Sequence, residues 1–397
     1  MRLLHTADWH VGKTLKGVSR LDEQREVLRE IVHIARDQEV DAVLVAGDLY
    51  DSAAPSAAAQ QLVVRTLTAL AGTGAQVIAI AGNHDHAPTM DAYGPFAAAA
   101  GVTLAGTVRP ADRGGVVEFT AGGQCATVAL LPFLSQRWAV RAAELVTQTP
   151  AQQTLAYDRQ VRDVLAALTA GFRPDTVNLV LAHLTVLGGT FGGGERQAQS
   201  IFEYAVPAGA FPPDAHYVAL GHLHRRQRMP AAAPVHYSGA PLAVDFGEQD
   251  NAPVVCLVEA TPTTPARVTD IPITAGRRLR TVRGTVAELS DLTGTMGDDL
   301  LRVWVREPAR AGLREEVTEL LPNALEVRID PDHVTPVTGP RARGGSGREC
   351  TAVELFGEYV AGQGIADARV EALFARLHDE LIEVGHPGPP DGDPAGT

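Results

Sequence analysis

Five short apolar runs, each closed by Asp, Asn or His, constrain the fold of this 397-residue chain more than any other feature. They read LLHTADWH (residues 3–10), VDAVLVAGD (40–48), QVIAIAGNHD (76–85), VNLVLAHL (177–184) and YVALGHLH (217–224). Such continuous apolarity fits strands buried on both faces. Amphipathic segments separate the runs. Residues 21–40 place Val27, Leu28, Ile31, Ile34 and Ala35 on one helical face, with Asp22 as the expected N-cap. Further helices are expected over 55–74, ending near Gly72 or Gly74, and over 155–171. Strands alternating with helices predict an α/β layered domain, and open α/β sheets bind ligands at the edge where the polar residues gather here.

The texture changes after residue 250. NAPVVCLVEA (251–260) reads as one more strand and TPTTPARVTD (261–270) as turn. Residues 275–338 read as a small α+β unit, 339–350 (GPRARGGSGREC) as a linker, and 351–385 as two amphipathic helices. Thr351 and Glu354 read as a capping-box pair before the first of these helices, and 386–397 reads as a disordered tail. A hydrophobic content of 45% allows a sizeable core. The three cysteines (Cys125, Cys256 and Cys350) show no disulfide framework, and no secretory signal is read, so a reducing cytoplasm is expected. No apolar run approaches the ~18 residues of a membrane span.

Singly, the polar run ends are ambiguous. Asp8 and His10 could be a surface pair, Asp48 a turn residue, Gly82 to Asp85 a turn, and His183 a satisfied core histidine. Together they supply only carboxylate, amide and imidazole donors, and no thiolate, which suits Mn²⁺, Fe or Zn²⁺ rather than Ca²⁺. If strand geometry continues, 8 and 10 share a face, as do 222 and 224, and Trp9 points away. Asp8, His10, Asp48, Asn83, His183, His222 and His224 are too many for one ion and suit two. A carboxylate can bridge two ions where an imidazole cannot, and Asp48 is the natural bridge.

The order D-x-H (8–10), G-D-x-x-D (47–51), G-N-H-D (82–85), His183 and G-H-x-H (221–224) resembles the metallophosphoesterase superfamily. The surrounding words LLHTADWHVGK, VAGDLYDSAAPS, YVALGHLHR and YSGAP resemble the SbcD family of bacterial nuclease subunits. The resemblance implies a calcineurin-like β-sandwich flanked by helices (1–270), a small α+β capping and DNA-recognition domain (275–338) and a C-terminal helix-loop-helix. It also implies that Asp8, His10, Asp48 and His224 hold one divalent ion, and Asp48, Asn83, His183 and His222 the other. The ions are expected to be Mn²⁺, with Mg²⁺ as the alternative. His84 takes the position of the family's catalytic histidine, which stabilises or protonates the departing sugar oxygen. Asp85 would orient His84, or is simply a turn carboxylate. Asp51 stands where archaeal relatives carry a second functional histidine, and no catalytic role is assigned to it. The protein-phosphatase words GDxxDRG and GNHE are absent, which argues against a phosphoprotein substrate.

A net charge of −13 does not advertise DNA binding. Lys13, Lys16, Arg20, Arg225, Arg226 and Arg228 flank the motifs; they either track backbone phosphates or form solvated basic loops. The glycine-rich stretch after His183 is either a flap over the cleft or a plain surface loop. The family implies an SbcC-like coiled-coil ATPase as partner, a homodimer within a heterotetramer, and a cytoplasmic, nucleoid-associated site of action. The apolar residues of 351–385 either dock on that ATPase or pack on the chain's own body. The leading expectation is an ATP-dependent double-strand 3′-to-5′ exonuclease and single-strand or hairpin endonuclease in DNA repair, recombination and replication. The alternatives are a stand-alone metallophosphodiesterase acting on nucleotides or cyclic nucleotides, and a catalytically inactive scaffold.

Overall fold

The strands follow one another as β1 (Arg2–Thr6), β2 (Ala42–Val45), β3 (Gln76–Ile80), β4 (Val102–Ala105), β5 (Val116–Ala121), β6 (Gln124–Leu131), β7 (Thr176–His183) and β8 (Tyr217–Gly221). Then come β9 (Gln227–Met229), β10 (Val235–Tyr237), β11 (Val254–Thr261), β12 (Thr264–Pro272), β13 (Leu279–Gly284), β14 (Leu300–Val305) and β15 (Ala324–Ile329). The structure is a computed structural model that describes residues 1–134, 150–195, 205–333, 356–357, 360 and 372–374. Two six-stranded sheets form its core, in the orders β12-β11-β1-β2-β3-β4 and β9-β10-β8-β7-β6-β5. In the first, β1 to β4 run parallel and β11 joins β1 antiparallel; in the second, β6, β7, β8 and β10 run parallel.

Period-two alternation decides which side chain enters which core. Leu3, Leu44, Ile78 and Ile80 of one sheet meet Val128, Leu130, Leu179 and Leu181 of the other, all buried. Leu4, Val43, Val45 and Val77 point the other way, onto helices α1 (Leu21–Asp37) and α2 (Ala57–Ala71). On the far side of the second sheet, Val180, Ala182, Val218 and Leu220 pack against Tyr157, Val161 and Leu165. Those three come from α4 (Pro150–Thr169), and α3 (Ala87–Ala99) covers the edge near β4. Two sheets face to face with helices outside explain why every one of the five apolar runs lacks a polar face.

The strand and helix expectations for residues 1–225 meet elements of the expected type. Two local readings differ. Asp22 is not the N-cap of α1: the cap is Arg20, and Asp22 sits in the first turn, where its charge favours the helix N-terminus. Residues 264–272 are not turn but strand β12, a sheet-edge position that tolerates Pro265 and Pro272. The helix over 55–74 has Ser56 as its N-cap and Gly72 as its C-cap.

Strands β13, β14 and β15 form a separate parallel sheet, covered on one face by α5 (Val286–Ser290) and α6 (Leu313–Leu320). Its opposite face touches the rest of the molecule through Leu279 and Leu300, which pack with Leu15 and Phe246. Residues 1–333 form one compact unit and 334–397 another. In the second, the rings of Phe356 and Phe374 stack with centroids 4.0 Å apart. The linker 339–350, the Thr351–Glu354 capping box, most of the two C-terminal helices and the tail lie outside the described residues. No helix among the described residues is long and apolar enough to cross a membrane.

Candidate metal centre

The expected ligands converge, but not by strand alternation. Strand β1 ends at Thr6 and β8 at Gly221, so Asp8, His10, His222 and His224 all lie beyond strand ends. Asp8, His10, Asp48 and His222 adopt left-handed backbone, with φ of 55°, 44°, 51° and 101°. Each such non-glycine residue costs on the order of 1–3 kcal/mol, so the surroundings must hold it there. Here Asp8 N–H donates to Gly47 O and His10 N–H to Asp48 O, both at 3.0 Å, while the Asp8 carboxylate accepts from His222 N–H at 2.9 Å. Gly82 lets two of these loops meet: a Cβ there would lie 2.1 Å from Asp48 Oδ1 and 2.3 Å from Asp48 N.

Three overlapping donor groups result, with Asp48 in or beside each; one of them is His10, Asp48 and His84. Asp8, His10 and His224 bring one ligand atom each within 4.8 Å of one another, and Asp48, His183 and His222 do the same. In the first half, His10 Nε2 and His224 Nε2 lie 2.9 Å apart, and His10 Nε2 lies 3.7 Å from Asp48 Oδ2. In the second, Asn83 Oδ1 is 2.9 Å from His183 Nε2 and 2.8 Å from His222 Nδ1, and His183 Nε2 is 3.5 Å from Asp48 Oδ2. His183 Nδ1–H donates to Ala46 O at 2.7 Å, which leaves Nε2 as the lone-pair nitrogen.

The electrostatics fit cations in both halves. Burial and neighbouring histidines hold His10 and His222 well below the usual imidazole range, and burial lowers His183 to about 3, so these rings are neutral donors. Burial, against the opposing charge of His224 and with that of Asp48, pushes Asp8 well above the usual carboxylate range. Carboxylates this deeply buried are stabilised in their charged form by a divalent ion. His224 behaves differently: against the effect of burial, Glu248, then Asp8 and Glu195, raise it to about 10. The donor set therefore fits two divalent ions, the second half being poorer in negative charge.

His84 sits at the edge of this centre, 5% exposed, with its ring edge-on to His10 at 4.6 Å. Its backbone N–H donates to Asp48 Oδ1 at 2.8 Å, and its Nδ1 pairs with the main-chain carbonyl of Asp51 at 2.7 Å. The carbonyl of Asp51, rather than Asp85, thus orients the ring. The Asp85 carboxylate instead accepts from the N–H groups of Gly82, Tyr50 and Leu49 at 2.8, 3.0 and 3.2 Å, which ties the two ligand loops together. Burial and Asp48 raise its pKa to about 7. Trp9 points away as expected, its Nε1–H donating to Thr6 Oγ1 at 3.0 Å.

The flanking basic residues divide. Arg20 is 1% exposed, pairs with Glu23 at 2.6 Å and donates to the carbonyls of Arg277 and Ala243, so it cannot meet a substrate phosphate. Arg226 is held by Asp270 at 2.8 Å, His236 at 3.0 Å and the Tyr237 carbonyl at 3.2 Å. That is an anchoring role for the loop after His224. Lys13 pairs with Asp51 at 3.1 Å and Lys16 with Glu326 at 3.2 Å, while Arg225 and Arg228 are exposed. Sequence reasoning missed three site residues. Glu248 bonds His224 Nδ1; Glu195 accepts from His224 N–H at 2.9 Å; Phe133 packs its ring near His183 and His222, at 6.1 and 6.4 Å. None of them belongs to an apolar run closed by a ligand, the pattern that revealed the others.

The family model described as calcineurin-like phosphoesterase matches residues 1–226. The SbcD protein of the SbcCD nuclease from Bacillus subtilis (strain 168) is 38% identical over 285 residues, covering 70% of this chain and 71% of that one. Its counterpart in Rhodobacter capsulatus is 37% identical over 62% of this chain and 64% of its own. That of Escherichia coli (strain K12) is 31% identical over 65% of this chain and 64% of its own. With this match and the donor geometry together, the chain belongs to the calcineurin-like phosphoesterase family and, within it, to the SbcD branch of phosphodiester-cleaving nucleases.

Proposed function

We propose that the protein is the nuclease subunit of an SbcCD-type complex, cutting DNA by two-metal phosphodiester hydrolysis with Mn²⁺. The observation that carries this reading is the pair of donor groups flanking one carboxylate, Asp48. Bound there, the two ions supply Lewis-acid stabilisation of the phosphoryl oxygens and activation of the attacking water. The chain's own residues do the rest. Asp8, His10 and His224 hold one ion with Asp48; Asn83, His183 and His222 hold the other. Water adds to phosphorus as the bond to the sugar oxygen breaks, and that oxygen must gain a proton. His84 has Nδ1 fixed on the Asp51 carbonyl, which leaves Nε2 as the nitrogen that exchanges this proton. His84→Ala is expected to lower Mn²⁺-dependent cleavage of single-stranded or hairpin DNA by about 10²–10⁴-fold while both ions still bind. Unchanged cleavage would contradict this role.

DNA as substrate draws support from the β13–β15 sheet. There the Arg302 guanidinium lies 5.2 Å from the Phe246 ring and 6.0 Å from the Trp304 ring, with Arg283 5.7 Å from Trp304. Guanidinium groups held on aromatic rings suit a phosphate backbone. This is the basis for reading 275–338 as the capping and DNA-recognition unit. For a homodimer, the support is an apolar groove of about 650 Å³ between α2 and α3, where Val64, Tyr93 and Phe96 are 56%, 50% and 80% exposed. Docking of 351–385 on an SbcC-like ATPase, which would bring ATP dependence, is favoured by the stacked Phe356 and Phe374 and the 48% exposed Leu373. Exonuclease and endonuclease activity in DNA repair, in the cytoplasm and near the nucleoid, completes the proposal.

A further inference from the structure

We infer that Glu248 is a positioning residue for one half of the metal centre alone, fixing the tautomer in which His224 can bind an ion. The inference rests on the two-metal reading above. Glu248 is 1% exposed and lies 24 residues beyond His224. One carboxylate oxygen meets His224 Nδ1, and the other accepts from the backbone N–H of Val244 at 2.5 Å. Both partners are donors when His224 carries its proton on Nδ1, so the residue must offer two acceptors at once. A carboxylate does so; an amide offers one acceptor and one donor.

The consequence is specific. With Nδ1–H directed at Glu248, the lone pair of His224 is on Nε2, the atom that faces His10 Nε2 at 2.9 Å. The ring is fixed from its backbone as well, because His224 N–H donates to Glu195 Oε1 at 2.9 Å. Glu195 in turn accepts from the N–H groups of Gly192 and Gly193 at 2.6 and 2.7 Å. In the other half, among the described residues, the Nδ1 atoms meet no outer carboxylate: His183 Nδ1 meets the neutral Ala46 carbonyl, and His222 turns its Nδ1 to Asn83. A carboxylate behind a ligating imidazole both orients it and strengthens it as a donor. Glu248 therefore acts on the Asp8–His10–His224 half and leaves the Asn83–His183–His222 half untouched.

Glu248→Gln separates these statements. If the amide keeps its oxygen on Val244 N–H, its NH₂ faces His224 Nδ1 and forces the proton onto Nε2, where it blocks the ion. Titration of the full-length protein with Mn²⁺, followed calorimetrically, should show two binding steps in the wild type. In Glu248→Gln one step should weaken by about 10–100-fold and the other stay unchanged. The same titration in a His183→Ala background assigns the step: the affected one is the step that survives His183→Ala. Two unaltered steps in Glu248→Gln overturn the inference, and two steps weakened alike overturn its selectivity. A wild type without two steps overturns the two-metal reading itself. Should the variant not fold, long-range ¹H–¹⁵N correlation spectra of the Zn²⁺-loaded wild type read the tautomer directly. The inference requires His224 to be protonated on Nδ1, and a proton-free Nδ1 overturns it.

Discussion

The two halves of the proposed metal centre both lie against Asp48 but are built from different chemistry. One half owns a second carboxylate, Asp8, and rests on Glu248 and Glu195 behind His224. The other owns a neutral amide, Asn83, and rests on a backbone carbonyl behind His183. The ligand order along the sequence gives no hint of this inequality, since each half takes residues from both sheets. On the proposed two-metal reading, the difference means that affinity should depend on what stands behind the rings as well as on the rings themselves.

The largest effect is expected where the halves cannot be told apart. Asp48→Ala removes the shared carboxylate, and also the acceptor of the His84 backbone N–H. Both ions should be lost together, and DNA cleavage should fall below that of His84→Ala. Retention of either ion at wild-type affinity, measured by metal analysis after gel filtration, would break the shared-bridge account. A smaller effect distinguishes the halves by pH. In the metal-free protein, burial opposes the charge of His224, but Glu248 and the nearby carboxylates keep it protonated up to about pH 10. An ion must displace that proton, so the affinity of this half should rise with pH above 7, by up to about tenfold per unit. The other half should show no such rise, because His183 titrates near 3 and His222 far below its usual range. Calorimetric titrations at pH 7 and pH 8 check this; parallel shifts of both steps would contradict it.

Much of this centre was legible in the sequence because one physical constraint left a repeated mark. Strands buried between two layers must be apolar throughout, so a polar residue at the end of such a run stands out. All seven proposed ligands and His84 carry that mark. The residues that stayed hidden act through tertiary contacts without a local pattern. Glu248 meets His224 across 24 residues, and Arg20 is buried by a pairing that reaches Arg277 from Glu23. Arg20 and Arg226 looked like phosphate contacts because a sequence shows their charge but not the carboxylates that occupy it. The left-handed loops at Asp8, His10 and His222 were likewise invisible: alternation along a strand reaches the same pairing of 8 with 10, though by the wrong geometry.

The central claim is that one carboxylate joins two metal positions. Electron paramagnetic resonance of the protein loaded with Mn²⁺ tests it most directly. Two ions about 3.5–4 Å apart should give an exchange-coupled signal at a stoichiometry of about two per chain. An uncoupled signal at saturation, or saturation at a single ion, would contradict the account.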